Sequence, residues 1–180
     1  MQLLDTGEQN CIREAIAHQL RSSYSQPYKT IIDSNLPGAS YGSARRIYNH
    51  MLRSHFCLQP PGDTYSRRGL YDSIMLGCIP VVFSKEVLNT LPWKDSSLRG
   101  LADAIVYIPH EEVCGRIETS RAINIPKYLV ENFSGAERMA LREVGLRYLR
   151  ALQYSSYQEE YNDAFGLLLE DLKEIVSRHS

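Results

Sequence analysis

"PPGDTYSRRGLYDSIMLGCIPVV", residues 60–82, decides how this chain is read. A helix pattern starts at its centre, and that helix opens on two arginines. A helix N-terminus carries partial positive charge, so acidic residues favour it and cations oppose it. Arg67 and Arg68 break that preference, behind a loop of Pro, Gly and Asp and a candidate N-cap at Ser66. Two cations set against the dipole imply an anion that the sequence does not itself supply. Downstream, Gly77 is a good helix stop. "IPVVF" (79–83) shows no polar alternation, the pattern of a strand buried on both faces.

Upstream, "HFCLQ" (55–59) reads as a buried strand closed by Pro60-Pro61-Gly62. Before it come a helix over 11–20, a strand over 28–33, a turn-rich loop over 34–43 and a helix over 44–53. After Phe83 come a short helical segment and a last strand, "ADAIVYIP" (102–109). Helical patterns over 111–121, 126–132, 135–153 and 157–178 form a helical C-terminal extension. Alternating strands and helices imply an α/β fold, a parallel sheet covered by helices.

The length of 180 residues suits one domain, residues 1–180, able to bury a core without staples. A net charge of −1 exerts no global pull on nucleic acid or anionic lipid, so any anion site is local. The N-terminus has no basic start followed by an apolar run, so it does not read as a signal peptide. No stretch is apolar enough to span a membrane. The four cysteines, at 11, 57, 78 and 114, form no CxxC pair. Cys57 and Cys78 lie in apolar runs, where a buried thiol is expected ahead of a disulfide or a metal site.

In an open parallel sheet, ligands bind outside the carboxyl ends of the strands. The loop 60–65 is such a strand-to-helix turn. Gly62 permits close backbone approach, and the following helix offers unpaired N–H groups. With Arg67 and Arg68 this makes a candidate phosphate site. Asp72, one turn beyond Arg68, is suited to accept from ribose hydroxyls. The ordinary alternative is a solvated Arg68–Asp72 pair worth roughly 0.3–0.5 kcal/mol, with Arg67 in water.

The stretch "SHFCLQPPGDTYSRRGLYDSIMLGCIPVVFS" resembles the signature of the exostosin family, glycosyltransferase family 47. It is most similar to the plant and algal branch that includes xyloglucan galactosyltransferases. The likeness is specific over about 30 residues, which carry nearly every fixed position of FCLxPxGDSxxRRxxxDSxxxGCIPV. It extends more weakly to "LPW" (91–93) and the late helices. The resemblance implies a Rossmann-like sheet with helices on both faces, the C-terminal, donor-binding domain of a GT-B enzyme. It implies that Arg67, Arg68 and Asp72 hold diphosphate and ribose, while Gly62, Asp63 and Ser66 shape the loop. Animal members place one Arg three residues before a Glu, whereas here the pair stands four and five before Asp72. That leaves open which arginine meets phosphate. The resemblance also implies a Golgi lumenal setting. A two-domain enzyme needs roughly twice this length, so an acceptor domain is expected to be missing.

Other signals carry less. His110, Glu111, Glu112 and Cys114 read as first-turn acids after Pro109 rather than metal ligands. His50 and His55 flank a strand entrance and read as structural or solvated before either reads as a base. No DxD pair exists for a metal-bound diphosphate. Asn132-Phe133-Ser134 is an N-glycosylation triplet of a kind that also arises by chance. Tyr148, Tyr154, Tyr157 and Tyr161 read as packing or rim residues.

The expected function is inverting transfer of a sugar from a UDP-sugar to a glycan acceptor, with no metal or other cofactor. The catalytic base is unknown, and a second GT-B domain or partner chain is expected to complete the site. Exposed apolar residues near 34–43 and 60–65 would face that partner. The alternatives are a non-catalytic nucleotide-sugar-binding module, a degenerate fragment, and a fucosyltransferase-like GT-B domain.

Overall fold

A computed structural model describes residues 6–22, 44–62, 64, 65, 67–92, 100–114, 122–154 and 163–178. Among these, three parallel strands form one sheet in the order β1 (Phe56–Gln59), β2 (Ile79–Val82), β3 (Val106–Tyr107). Phe56 pairs with Ile79 and Gln59 with Val82, while Val81 pairs with Val106. The central strand β2 is buried at all four residues, as its unbroken apolar run requires.

Side chains alternate across the sheet and meet two separate cores. On one face Ile79, Val81, Phe83, Val106 and Ile108 pack with Ile12 and Ile16 of α1 (Thr6–Ser22), Val113 of α5 (His110–Cys114), and Ile125 and Leu129 of α6 (Ile125–Asn132). On the other, Val82 packs with Leu70 and Ile74 of α3 (Arg68–Met75) and Val87 of α4 (Lys85–Asn89). A fully buried side chain of this size contributes about 1.5–3 kcal/mol. The remaining helices are α2 (Ala44–Met51), α7 (Gly135–Arg147) and α8 (Ala164–Arg178). Helices thus cover both faces of a small parallel sheet. The strand expected at 28–33 and the loop at 34–43 lie outside the described residues.

Three expectations change. Residues Leu101–Ala104 form a 3-10 turn rather than the first half of a strand, because Asp103 N and Ile105 N donate to Gly100 O and Ala102 O. Ala and Asp are weak strand formers, so the turn prevails until Val106. The helix expected from 135 to 153 ends at Arg147, followed by a separate 3-10 turn at Arg150–Leu152. Most plainly, the cysteines pair. Cys57 bonds Cys78 with Cα atoms 5.8 Å apart, and Cys11 bonds Cys114 at 5.9 Å. Apolar surroundings gave the expectation of free thiols. The β1–β2 register and the packing of α1 on α5 bring each pair within bonding geometry instead.

Candidate functional site

The turn after β1 is built from two prolines, whose carbonyls accept side-chain donors. Arg13 on α1 donates to Pro61 O from Nε at 3.2 Å and Nη2 at 2.9 Å. Arg67 Nη1 donates to Pro60 O. Successive carbonyls are therefore held from two directions by guanidinium groups, which hold the turn against the sheet edge. Gly62 is buried beneath this arrangement, and a Cβ there would lie 3.1 Å from Arg67 Nε. A side chain at position 62 would therefore crowd Arg67.

Helix α3 begins at Arg68 and has Arg67 as its N-cap, with extended backbone (φ −128°, ψ 137°) and no side-chain cap. The N-cap expected at Ser66 is instead Arg67, one residue on. The reason lies in Arg67 O, which already accepts from Leu70 N, the bond that opens the helix. Ser66 and Asp63 lie outside the described residues. At its other end α3 closes on Gly77 as expected. Gly77 has φ +69°, Gly77 N donates to Ile74 O, and Cys78 N donates to Ser73 O. This double bond pattern is a Schellman motif.

A cleft opens at the carboxyl ends of β1 and β2. Gln59, Pro60, Thr64, Tyr65, Arg67 and Ser84 contribute to its wall, and Leu70, Val82 and Phe83 to its floor. Gln59 Nε2 donates to the fully buried Ser73 Oγ at 2.8 Å, and Ser73 Oγ donates to Gly69 O at 2.6 Å. Ser84 bonds the Glu86 carboxylate, which lowers the Glu86 pKa.

The two adjacent arginines part here. Arg67 is half-buried in the cleft wall. Arg68 points outward, its side chain 82% exposed, with Nε 3.3 Å from Asp72 Oδ2 and Nη2 2.8 Å from the Tyr48 hydroxyl. Tyr48 OH in turn donates to Asp72 Oδ2 at 3.5 Å. Tyr48, then Asp72, raise the Arg68 pKa above its ordinary value. Gly62 and Arg67 thus form one group at the cleft, and Arg68, Asp72 and Tyr48 another.

Sequence reading missed Tyr48, Arg13 and Gln59. For Gln59 a signal existed, a polar residue ending an apolar strand at its carboxyl end. Tyr48 and Arg13 carry none, since only the tertiary fold brings α2 and α1 to this turn. His55 lies at the opposite end of β1, four residues from Gln59 and roughly 13 Å away at strand rise. Its Nδ1 meets Arg142 Nη2 at 3.1 Å. The structure removes it as a base near the cleft. Cys114 is bonded to Cys11 and supplies no thiolate for a metal, while His110 Nδ1 lies 3.4 Å from Glu111 Oε2. Tyr148 packs on the α3 side of the sheet and Tyr154 is exposed; Tyr157 and Tyr161 lie outside the described residues.

The fold and this turn define a class: an α/β domain with a small, mostly apolar cleft, walled in part by an arginine, at the carboxyl edge of a parallel sheet. Comparison with known proteins sharpens that class. The model of the Exostosin GT47 domain matches residues 3–114, and the chain belongs to that family. Part of the chain is similar to the probable xyloglucan galactosyltransferase GT12 of Arabidopsis thaliana, 68% identical over 100 residues covering 48% of this chain and 19% of the relative. It is also similar to the probable xyloglucan galactosyltransferase GT19 of the same plant, 38% identical over 87 residues covering 38% of this chain and 20% of the relative. Similarity to its xyloglucan-specific galacturonosyltransferase 1 is 36% over 77 residues, covering 43% of this chain and 11% of the relative. The chain spans about a fifth or less of the length of these relatives. No solved structure matches it.

Proposed function

We propose that this chain is the donor-binding part of a GT-B glycosyltransferase that moves a sugar from a UDP-sugar to a glycan acceptor with inversion. One observation carries the reading. The cleft at the carboxyl edge of the sheet has Arg67 in its wall, and Arg67 is also the N-cap of α3 and makes no side-chain cap bond there. Family membership supports glycosyl transfer, and the relatives' names favour a galactose or galacturonate donor and a xyloglucan acceptor. A Golgi lumenal site fits the same names.

In this reading Arg67 and the first N–H groups of α3 receive the diphosphate. Gly62, Asp63 and Ser66 shape the turn around it. Arg68 and Asp72, held by Tyr48, take the ribose or the second phosphate. The acceptor oxygen bonds the anomeric carbon as the bond to the diphosphate oxygen breaks. The electron pair leaves on UDP, and the acceptor proton passes to a base in the acceptor-binding part of the enzyme. Positive groups fixed before reaction stabilise the charge that develops on the leaving diphosphate. With no DxD pair in the sequence, the arginines and the helix N-terminus replace a divalent cation in this role. Residues 1–180 form one domain in this scheme and need the acceptor part for efficient transfer, because closure of two domains orients the substrates and excludes water. Of the exposed apolar surface expected near 34–43 and 60–65, residues 34–43 and 63 lie outside the described residues, and the described residues of 60–65 include no exposed large apolar side chain. Among the described residues such surface concentrates on α8, at Phe165, Leu168, Leu172 and Ile175.

Calorimetry with UDP tests the site. Arg67→Ala is expected to weaken binding at least tenfold, as losing a charge-assisted bond worth about 1.5–3 kcal/mol requires. EDTA is expected to leave affinity unchanged. Unaltered affinity in both Arg67→Ala and Arg68→Ala, with folding intact by thermal unfolding, would overturn the reading.

A further inference from the structure

We propose that Asn132 is an N-glycosylation site, occupied when the chain passes through the lumen of the secretory pathway. This does not rest on the donor-site reading. Asn132-Phe133-Ser134 is the single Asn-X-Ser/Thr triplet among the 180 residues, and X is not proline. Asn132 is exposed at the C-terminal end of α6, where a glycan projects into solvent. Its Nδ2 donates to Tyr128 O at 2.9 Å. An amide nitrogen carries two hydrogens, so glycosylation replaces one and leaves the other for this bond.

The second observation is the cysteine chemistry. All four cysteines are paired, and no free thiol remains. Disulfides form and persist in oxidising compartments, the endoplasmic reticulum lumen among them. The transferase that reads this triplet works in the same compartment, with a lipid diphosphate-linked oligosaccharide as co-substrate. Asn132 Nδ2 bonds the anomeric carbon of the first sugar, and the bond from that carbon to diphosphate breaks. Lipid diphosphate leaves with the electron pair, and the amide proton is released to solvent.

The fold also sets when this happens. Ser134 Oγ accepts from Glu137 N at 3.3 Å, and Glu137 returns a bond to Ser134 N at 2.7 Å, a capping box that opens α7. Phe133 packs edge-on against Phe56 at 5.6 Å and Tyr128 at 6.4 Å. The triplet is accessible as an extended segment only before α7 is capped and Phe133 docks. Modification therefore precedes folding of this corner.

The test translates the 180-residue chain behind a cleavable leader in the presence of endoplasmic reticulum microsomes. Only protease-protected chain is scored, so neither folding nor secretion is required. The expected result is one glycan-sized shift, abolished by peptide N-glycosidase, with Asn132 converted to Asp in the peptide map. Asn132→Gln and Ser134→Ala abolish the shift, and Ser134→Thr retains it. Protected chain without a shift, or a shift that survives in Asn132→Gln, overturns the proposal.

Discussion

The two ends of the same sheet are held by different forces. At the amino end, β1 and β2 are joined by the Cys57–Cys78 bond, α3 is closed by Gly77, and Arg142 binds both Ser54 O and His55 Nδ1. At the carboxyl end no covalent link joins the strands. The turn there is shaped by Arg13 and Arg67 donating to proline carbonyls, and by the Gln59–Ser73 bond beneath. The covalent tie fixes the amino end, although a small cavity lined by Gly77, Cys78, Ile79 and Arg142 lies there as well. An end made of polar side chains over an apolar floor can exchange some of its contacts for those of a ligand. Changes at the amino end should thus cost stability alone, and changes at the carboxyl end should cost ligand affinity.

The largest effect is expected from the bond that links the two behaviours. Cys11 and Cys114 are 103 residues apart, and closing so long a loop is worth about 4–5 kcal/mol in the chain-entropy account. The double variant Cys11→Ser/Cys114→Ser should lower the thermal midpoint by roughly 10–20 °C for a chain of this size. It also frees α1, which carries Arg13, so UDP affinity should fall as well. Cys57→Ser/Cys78→Ser opens a loop of 21 residues, worth about 3 kcal/mol. Its midpoint should drop less, and UDP affinity measured below the transition should be unchanged. Equal losses of affinity in both double variants would erase the distinction between the two ends.

A smaller effect is expected at Gly77. A side chain forced into its left-handed conformation costs about 1–2 kcal/mol, although no atom lies within 4 Å of the added Cβ. Gly77→Ala should show this loss in denaturant midpoint with no change in UDP affinity. Full retention of stability would mean that the turn relaxes to another cap and that the amino end is less fixed than its bonding pattern implies.

Within residues 56–82 the strands, the turn and the helix stop were legible because their local signals agree with the tertiary result, whereas the N-cap and the Cys57–Cys78 bond were not. An unbroken apolar run became the buried β2, a glycine became a positive-φ helix stop, and a Pro-Pro-Gly segment became the turn at the strand end. The resemblance carried across this stretch, and family membership agrees with it. What escaped depends on contacts distant in sequence. Arg13 reaches Pro61 across 48 positions, and Tyr48 reaches Arg68 across 20. Both cysteine pairings likewise follow from the register and from helix packing, not from spacing. The separation of Arg67 from Arg68 was also illegible, because it turns on the cap: an extended Arg67 outside the helix bonds Pro60 O, while a helical Arg68 meets Asp72 and Tyr48.

The smallest effect concerns pH and the amino end. Desolvation, then Arg138 and Arg142, hold the His55 pKa below its ordinary 6.5. Folded chain therefore binds fewer protons than unfolded chain once pH falls below about 6.5, and stability declines there. Above that value both states are neutral at this position and the contribution is complete. The decline ends below the folded-state pKa, where both states are protonated. His55 is exposed, so the slope should be shallow and should decrease at 0.5 M salt, where repulsion from the two guanidinium groups is screened over roughly 4 Å. His55→Gln should flatten stability between pH 7 and 5 relative to the parent chain. UDP affinity of parent and variant should stay in constant ratio over the same range, since the ligand's own titration is common to both. A ratio that moves with pH would place His55 in communication with the cleft across the length of β1, and the two ends of the sheet would then have to be treated as one unit.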